Sequence, residues 1–201
     1  PPFAQGLVRD FRVRWALEEA GVPYKVTLID PEIQKSPEYR LMQPFGQVPI
    51  YEEDGMVLFE SGAIVIHIAE KSEVLMPRDA AGRAQAISHV FAALNSIEQF
   101  IQNLVLLDLF YPNEEWAKLR RPSAEAQLRQ RLDLLQDWLG DKEFLGDRFT
   151  VGDLWVLASV LPWTLHVLLV GRVAERLAAP FSVACGQFVA CGALALALAA
   201  V

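Results

Sequence analysis

Apolar residues recur at helical spacing near the start of the chain. Phe11, Val13, Trp15, Ala16, Leu17 and Ala20 sit among charged positions, and Gly21 and Pro23 end the run. That pattern predicts a helix stopping at Gly21. Tyr24 to Ile29 predicts a strand, broken at Asp30-Pro31. Ser36-Pro37-Glu38 combines a capping Ser with a Pro at the first helical position and predicts a helix start. Gln43-Pro44-Phe45-Gly46 reads as loop. Val48 to Glu52 and Met56 to Phe59 then form a hairpin turning at Asp54-Gly55. Glu60-Ser61-Gly62 opens a helix through Ala69.

Beyond this the period is helical. From Ala80 to about Leu109, Ile87, Phe91, Leu94, Ile97, Ile101 and Leu104 share one spacing, and Pro112-Asn113 ends it. A second helix is expected from about Pro122 to Leu139, its charges alternating as on a solvated face. Thr150-Val151-Gly152-Asp153 opens a third. There Thr150 is the cap, Asp153 can return a bond to the Thr150 N–H, and Phe149 and Leu154 form the staple pair. The chain thus divides into 1–71 with mixed helix and strand, a linker over 72–79 containing Pro77, and an all-helical part over 80–201.

Composition narrows the function. Of 201 residues, 53% are apolar and 21% charged, enough for a core and incompatible with global disorder. Lys and Arg number 18 against 25 Asp and Glu, a net charge of -7 with no basic run. That argues against nucleic acid and anionic membranes as partners. The two cysteines, Cys185 and Cys191, are too few for a disulfide scaffold or a zinc cluster, and a reducing cytoplasmic setting fits best. Charged residues through the first twenty positions leave no signal-peptide pattern, and a start at Pro1 rather than Met implies residues ahead of it. His67, His89 and His166 lie in apolar helical stretches and read as core or rim residues. No Ser-His-Asp elbow and no metal-ligand spacing is visible, so a hydrolase has little support and no metal is expected.

Two short motifs bear on binding. In Gly46-Gln47-Val48-Pro49, a cis Val48-Pro49 bond would turn the Val48 backbone outward to pair with an extended peptide-like ligand. The alternative is an ordinary trans Pro at a strand edge. In Glu60-Ser61-Gly62-Ala63-Ile64, Ser61 reads as a helix cap. The N–H groups of that helix start also suit a carboxylate, with Glu60 placed to accept from an ammonium group.

Taken together, Arg12 to Tyr24, Pro44-Phe45-Gly46-Gln47-Val48-Pro49, Glu60-Ser61-Gly62-Ala63-Ile64 and Thr150-Val151-Gly152-Asp153 resemble the soluble glutathione S-transferases, in family order over roughly residues 6–165. The resemblance implies an α+β, thioredoxin-like N-terminal domain that binds glutathione, and an all-α C-terminal domain. It implies a homodimer with a hydrophobic second-substrate site between the domains. It implies that Val48 pairs with the cysteinyl backbone beside a cis Pro49, that Glu60 and Ser61 hold the γ-glutamyl end, and that Gln47 lies near the glycyl carboxylate. Glutathione would be a co-substrate, joined to a small electrophile as in detoxification.

The chain departs from the family in three places. Residues 1–8 do not read as the family's first strand, which places that strand ahead of Pro1. The thiol-activating Ser, Cys or Tyr is not found: residues 1–20 contain no Ser, Thr, Cys or Tyr, and its expected place falls among Leu7, Val8, Arg9 and Asp10. A helix N-terminus with Arg9 as a nearby cation could lower the thiol pKa instead, or Arg9 could be a solvated helix-start residue. A non-catalytic binding or scaffolding protein of the same fold is the competing class. Candidate linings of the second-substrate site are Phe100, Leu104, Leu107 and Phe110, each equally explained by core packing.

The third departure is the tail. Residues 177–201 carry no charge, and the pattern leaves the family from about His166. A membrane span disagrees with Pro180, Gly186 and Gly192 and with the missing basic or aromatic flank at its far end. A buried terminal helix is the second reading. A shifted reading frame in the coding DNA is the third and the one we expect.

Overall fold

The computed structural model describes residues 9–158. Helix α1 spans Asp10–Ala20 and buries Val13, Ala16 and Leu17. It ends as expected: Gly21 takes the left-handed conformation, φ 65°, and returns its N–H to the last turn. Two helical turns follow, α2 at Pro31–Lys35 and α3 at Pro37–Met42. α2 is a correction to the expected break. Asp30 accepts from the N–H groups of Glu32 (2.9 Å) and Ile33 (2.8 Å), just as Ser36 accepts from Tyr39 at the head of α3 (3.1 Å). Asp-Pro-Glu and Ser-Pro-Glu are the same start signal.

Tyr24–Ile29 is a second correction. No strand among the described residues pairs with it, and Tyr24, Val26 and Leu28 are exposed. Alternation prepares a segment for a sheet, and only a hydrogen-bonded neighbour makes it a strand. The sheet described is the predicted hairpin: β1 at Ile50–Glu53 and β2 at Met56–Phe59, antiparallel, with Ile50 opposite Phe59. Asp54 (φ 50°) and Gly55 (φ 82°) both turn through positive φ, as a two-residue hairpin connection requires. Glu53 ties the hairpin to α4 (Ser61–Ala69) by bonding His67 (2.9 Å) and Lys71. Those bonds, that of His67 first, hold the Glu53 carboxyl well down, to about 2. His67 is thus a rim residue with a partner.

Helix α5 runs over Ala80–Phe110, with π-helical turns at Ala93–Glu98 and Leu106–Phe110. It is long and apolar enough to span a bilayer by composition alone, but Val90, Ala93, Ile97, Ile101 and Leu104 are buried inside the protein. Phe91, expected on the buried spacing, is exposed instead, and Val90 takes its place. α6 covers Glu115–Leu139, so it starts seven residues before the expected Pro122, which lies inside it. A Pro removes one helical bond. Here the helix continues because Ala117 on one side of it and Ala124 and Leu128 on the other bury against Ile97, Ile101, Leu104 and Leu107 of α5. α7 opens at Val151 and is described through residue 158.

A second cluster joins the two halves. Val13, Ala16 and Leu17 of α1, Ile64, Val65 and Ile68 of α4, Val90 of α5 and Leu154 and Trp155 of α7 share one core with Leu75 and Met76. Within the segment expected as a linker, Leu75 and Met76 are therefore buried while Glu73, Val74, Arg78 and Asp79 are exposed, and the Leu75 carbonyl accepts from the Val151 N–H at 2.9 Å. The tail 177–201 and the pattern change at His166 lie outside the described residues, as do Leu7 and Val8.

Candidate functional site

The register of the hairpin gathers most of the expected binding residues. Ile50 pairs with Phe59, so the segment Gln47-Val48-Pro49 before β1 and the pair Glu60-Ser61 after β2 lie at the same end of the hairpin. The Val48-Pro49 bond is cis, so the trans alternative does not apply. The approach to it is anchored from inside: Tyr39, 1% exposed, donates its hydroxyl to the Gln47 carbonyl at 2.6 Å. Gln43, also buried, accepts from the Phe45 N–H at 2.7 Å. Neither Tyr39 nor Gln43 stands out in sequence as a site residue, since their role is to hold a loop.

At the other half of this corner, Ser61 is not the cap expected. It is the first residue of α4 and buried, while Glu60 occupies the cap position without a capping side-chain bond. Glu60 adopts φ 66°, ψ 111°, a conformation rare for a residue with a side chain. Such a conformation costs roughly 1–3 kcal/mol and persists where the surroundings impose it. They do so here: β2 ends at Phe59, and α4 is set by its buried Ile64 and Val65. Gly62 brings the helix start down onto the second half of the molecule, since a Cβ there would lie 2.9 Å from Leu94 Cδ1. The result is a fixed helix N-terminus, its first N–H groups unused within the helix, beside an exposed carboxylate.

Arg9 goes elsewhere. It occupies the N-cap position of α1 without a side-chain capping bond, and its Nη2 lies 3.1 Å from Oε1 of Glu98. Arg12 Nη1 bonds the other oxygen at 2.8 Å, and Gln102 Nε2 donates to Oε1 at 3.0 Å. Glu98 is 1% exposed and Arg12 is 4%. Burial pushes the Arg12 guanidinium below its usual range, opposed by the Glu98 charge, and the guanidinium lies over the Trp155 ring, 4.8 Å from its centroid. Arg9 is thus neither purely solvated nor unengaged. Glu98 was legible only as one acid on the buried stripe of α5, four residues from Leu94 and three from Ile101, a position that demands a buried cation.

The candidate linings separate. Leu104 and Leu107 are core, Phe100 is partly buried beneath the Arg131 guanidinium, and Phe110 is exposed. At the head of α7, Asp153 accepts from the Thr150 N–H (2.9 Å) and Oγ1 (3.0 Å) and from the Leu145 N–H (2.7 Å). The return bond is as expected. The Thr150 hydroxyl differs, accepting from the Gly152 N–H (3.3 Å) rather than from Asp153. Phe149 and Leu154 join the same core cluster. Among the described residues no group of three His, Cys, Asp or Glu is placed to hold a metal.

The family profile "Glutathione S-transferase, N-terminal domain" matches residues 5–70, which includes this whole corner. Glutathione S-transferase F7 of Arabidopsis thaliana is 33% identical over 163 residues, 74% of this chain and 76% of that protein. The chain belongs to the glutathione S-transferase family. Among solved structures, glutathione transferase F2 of Populus trichocarpa superposes with a TM-score of 0.69 at 31% identity, over 79% of this chain and 77% of that one. A glutathione transferase of Burkholderia graminis, crystallised with two glutathione molecules per subunit, superposes with a TM-score of 0.71 at 28% identity, over 90% and 78%. The thioredoxin-like N-terminal domain and helical remainder are those of the glutathione S-transferases.

Proposed function

We propose that this glutathione S-transferase conjugates or isomerises small hydrophobic electrophiles with the glutathione thiolate. The observation that carries the reading is the corner just described. One end of the hairpin presents Val48 beside a cis Pro49, and next to it stands the N-terminus of α4 with Glu60. An amino-acid head group has a carboxylate and an ammonium on one carbon. The α4 N–H groups suit the first and Glu60 suits the second. Val48 would pair with the cysteinyl backbone and Gln47 would lie toward the glycyl carboxylate. The glutathione-bound relative supports glutathione as the ligand.

Conjugation needs a thiolate from a group with an ordinary pKa near 8.5. In this reading the N-terminus of α1 stabilises the anion, and Arg9 and Arg12 keep that end positive. The sulfur then attacks the electrophilic carbon, a C–S bond forms, the halide leaves with its bonding pair, and the thiol proton passes to solvent. The protein would work as a homodimer in the cytoplasm. The test is calorimetric titration with glutathione together with turnover of chlorodinitrobenzene. Binding with turnover supports the reading. Binding without turnover on a panel of electrophiles favours a scaffolding protein, and no binding defeats both.

A further inference from the structure

We infer that Leu94 of α5 is a positioning residue for glutathione, setting through Gly62 the turn that carries Glu60 and Ser61; this rests on the glutathione reading above. Glu60 is the one residue between β2, which ends at Phe59, and α4, which begins at Ser61. A single residue absorbs the whole change of direction, so its backbone conformation depends on where α4 starts. The hairpin side of that joint is fixed by the β1–β2 pairing and by the Glu53 bonds to His67 and Lys71. The helix side is fixed at Gly62, buried in the first turn of α4. A Cβ there would stand 2.9 Å from Leu94 Cδ1 and 3.9 Å from Trp155 Cη2. The helix start thus presents bare backbone to the Leu94 methyl.

Leu94 lies in the π-helical turn Ala93–Glu98, a break in regular helix of the kind frequent at functional sites. The same turn ends at Glu98, which holds Arg12 at 2.8 Å, and the Arg12 guanidinium lies over the Trp155 ring. Both neighbours of Gly62 are therefore tied to one turn of α5, Leu94 directly and Trp155 through Arg12. Leu94 also packs against the cluster that holds Ile64, Val65 and Trp155, which keeps its methyl in place. A side chain at 62 would push the start of α4 off this support and carry Glu60 and Ser61 with it. By helix propensity alone, Ala at 62 is no worse than Gly. A loss of binding in Gly62→Ala therefore reports the contact with Leu94.

The experiment is calorimetric titration with glutathione of the wild type, Gly62→Ala, Leu94→Val and the double variant. Leu94→Val deletes the Cδ1 that meets position 62, so the double variant has room for the new methyl. Gly62→Ala should lose about tenfold in affinity, the size of one charge-assisted bond. Adding Leu94→Val should restore most of that loss, and adding Leu94→Ala, which opens more room, should do the same. Adding Ile68→Val, a core deletion further along α4, should restore nothing, which separates this contact from general loosening of the core. In turnover, the loss should appear in KM for glutathione with kcat held, because Glu60 and Ser61 face the head group rather than the thiol. Unchanged affinity in Gly62→Ala overturns the inference. So does a loss that neither Leu94 variant restores, one that Ile68→Val restores equally, or a fall in kcat with KM unchanged. In each of these cases the wild type still binds glutathione. A wild type that does not bind it defeats the glutathione reading, and the inference with it.

Discussion

Gly152, the second residue of α7, lies against His89 of α5 with no room for a side chain: a Cβ at 152 would stand 2.4 Å from the His89 Cβ and 3.2 Å from its Cγ. The His89 Cβ is fixed by the backbone and cannot yield without moving a helix. Gly152→Ala should therefore destabilise the protein by about 1–3 kcal/mol, the range for overpacked cores. His89→Ala should not rescue it, because the clashing Cβ remains. Denaturant unfolding of the two single variants and the double variant tests this, and a rescued double variant would refute it.

The same histidine makes stability depend on pH. Its Nδ1 is buried without a partner, and the ring meets Trp138 edge-on, 4.9 Å between centroids. Burial lowers its pKa from the ordinary value; Asp153 on α7 opposes this and Lys142 in the preceding loop adds to it. The unfolded chain then binds more protons than the folded one between the two pKa values. His89's contribution is complete above the unfolded value near 6.5 and is lost as pH falls from there toward the folded value. His89→Phe keeps the ring and removes the titration. Its melting temperature should fall less than that of the wild type between about pH 7 and about pH 5. Parallel curves would rule this out.

Asp153 satisfies three donors and Thr150 fewer. Asp153→Ala leaves the buried Leu145 and Thr150 N–H groups unpaired, each such loss costing about 1–3 kcal/mol. Thr150→Ala removes a cap worth about 0.5–2 kcal/mol. Asp153→Ala should be the more damaging in urea unfolding, and equal losses would mean the Leu145 bond contributes nothing.

Glu60 separates stability from binding. Glu60→Gly relieves the positive φ and removes the carboxylate, so the melting temperature should hold or rise while glutathione affinity falls. Ser61→Ala and Glu60→Gln should each lose about tenfold in affinity, as for a charge-assisted bond of about 1.5–3 kcal/mol. Unchanged calorimetric titrations would move the head group elsewhere.

At the α1–α5 junction, Glu98→Ala leaves Arg12 buried without a counter-charge and should cost about 3–5 kcal/mol. Arg9→Gln should cost far less, since Arg9 is partly exposed and such pairs contribute about 0–1 kcal/mol. Comparable losses in thermal unfolding would show that both arginines are structural to the same degree.

Sequence alone determined whatever local chemistry dictates. The Asp54-Gly55 hairpin, the Gly21 stop, the Ser36 and Thr150 caps and the corner from Gln47 to Ser61 follow from positive φ, missing N–H groups and side-chain acceptors a few residues apart. Tertiary structure decided what depends on distant partners. Tyr24–Ile29 has the alternation of a strand and no neighbour among the described residues to pair with. Pro122 carries a helix-start signal, yet α6 runs through it because Ala117 and Ala124 both bury on α5. Leu75 and Met76 look like linker and form core. Arg9 looked like a cation at a helix start, and it took Glu98, 89 residues away, to give it a buried carboxylate as partner. The physical reason is range: turns and caps act within one helical turn of chain, whereas burial and charge pairing act between residues that only folding brings together.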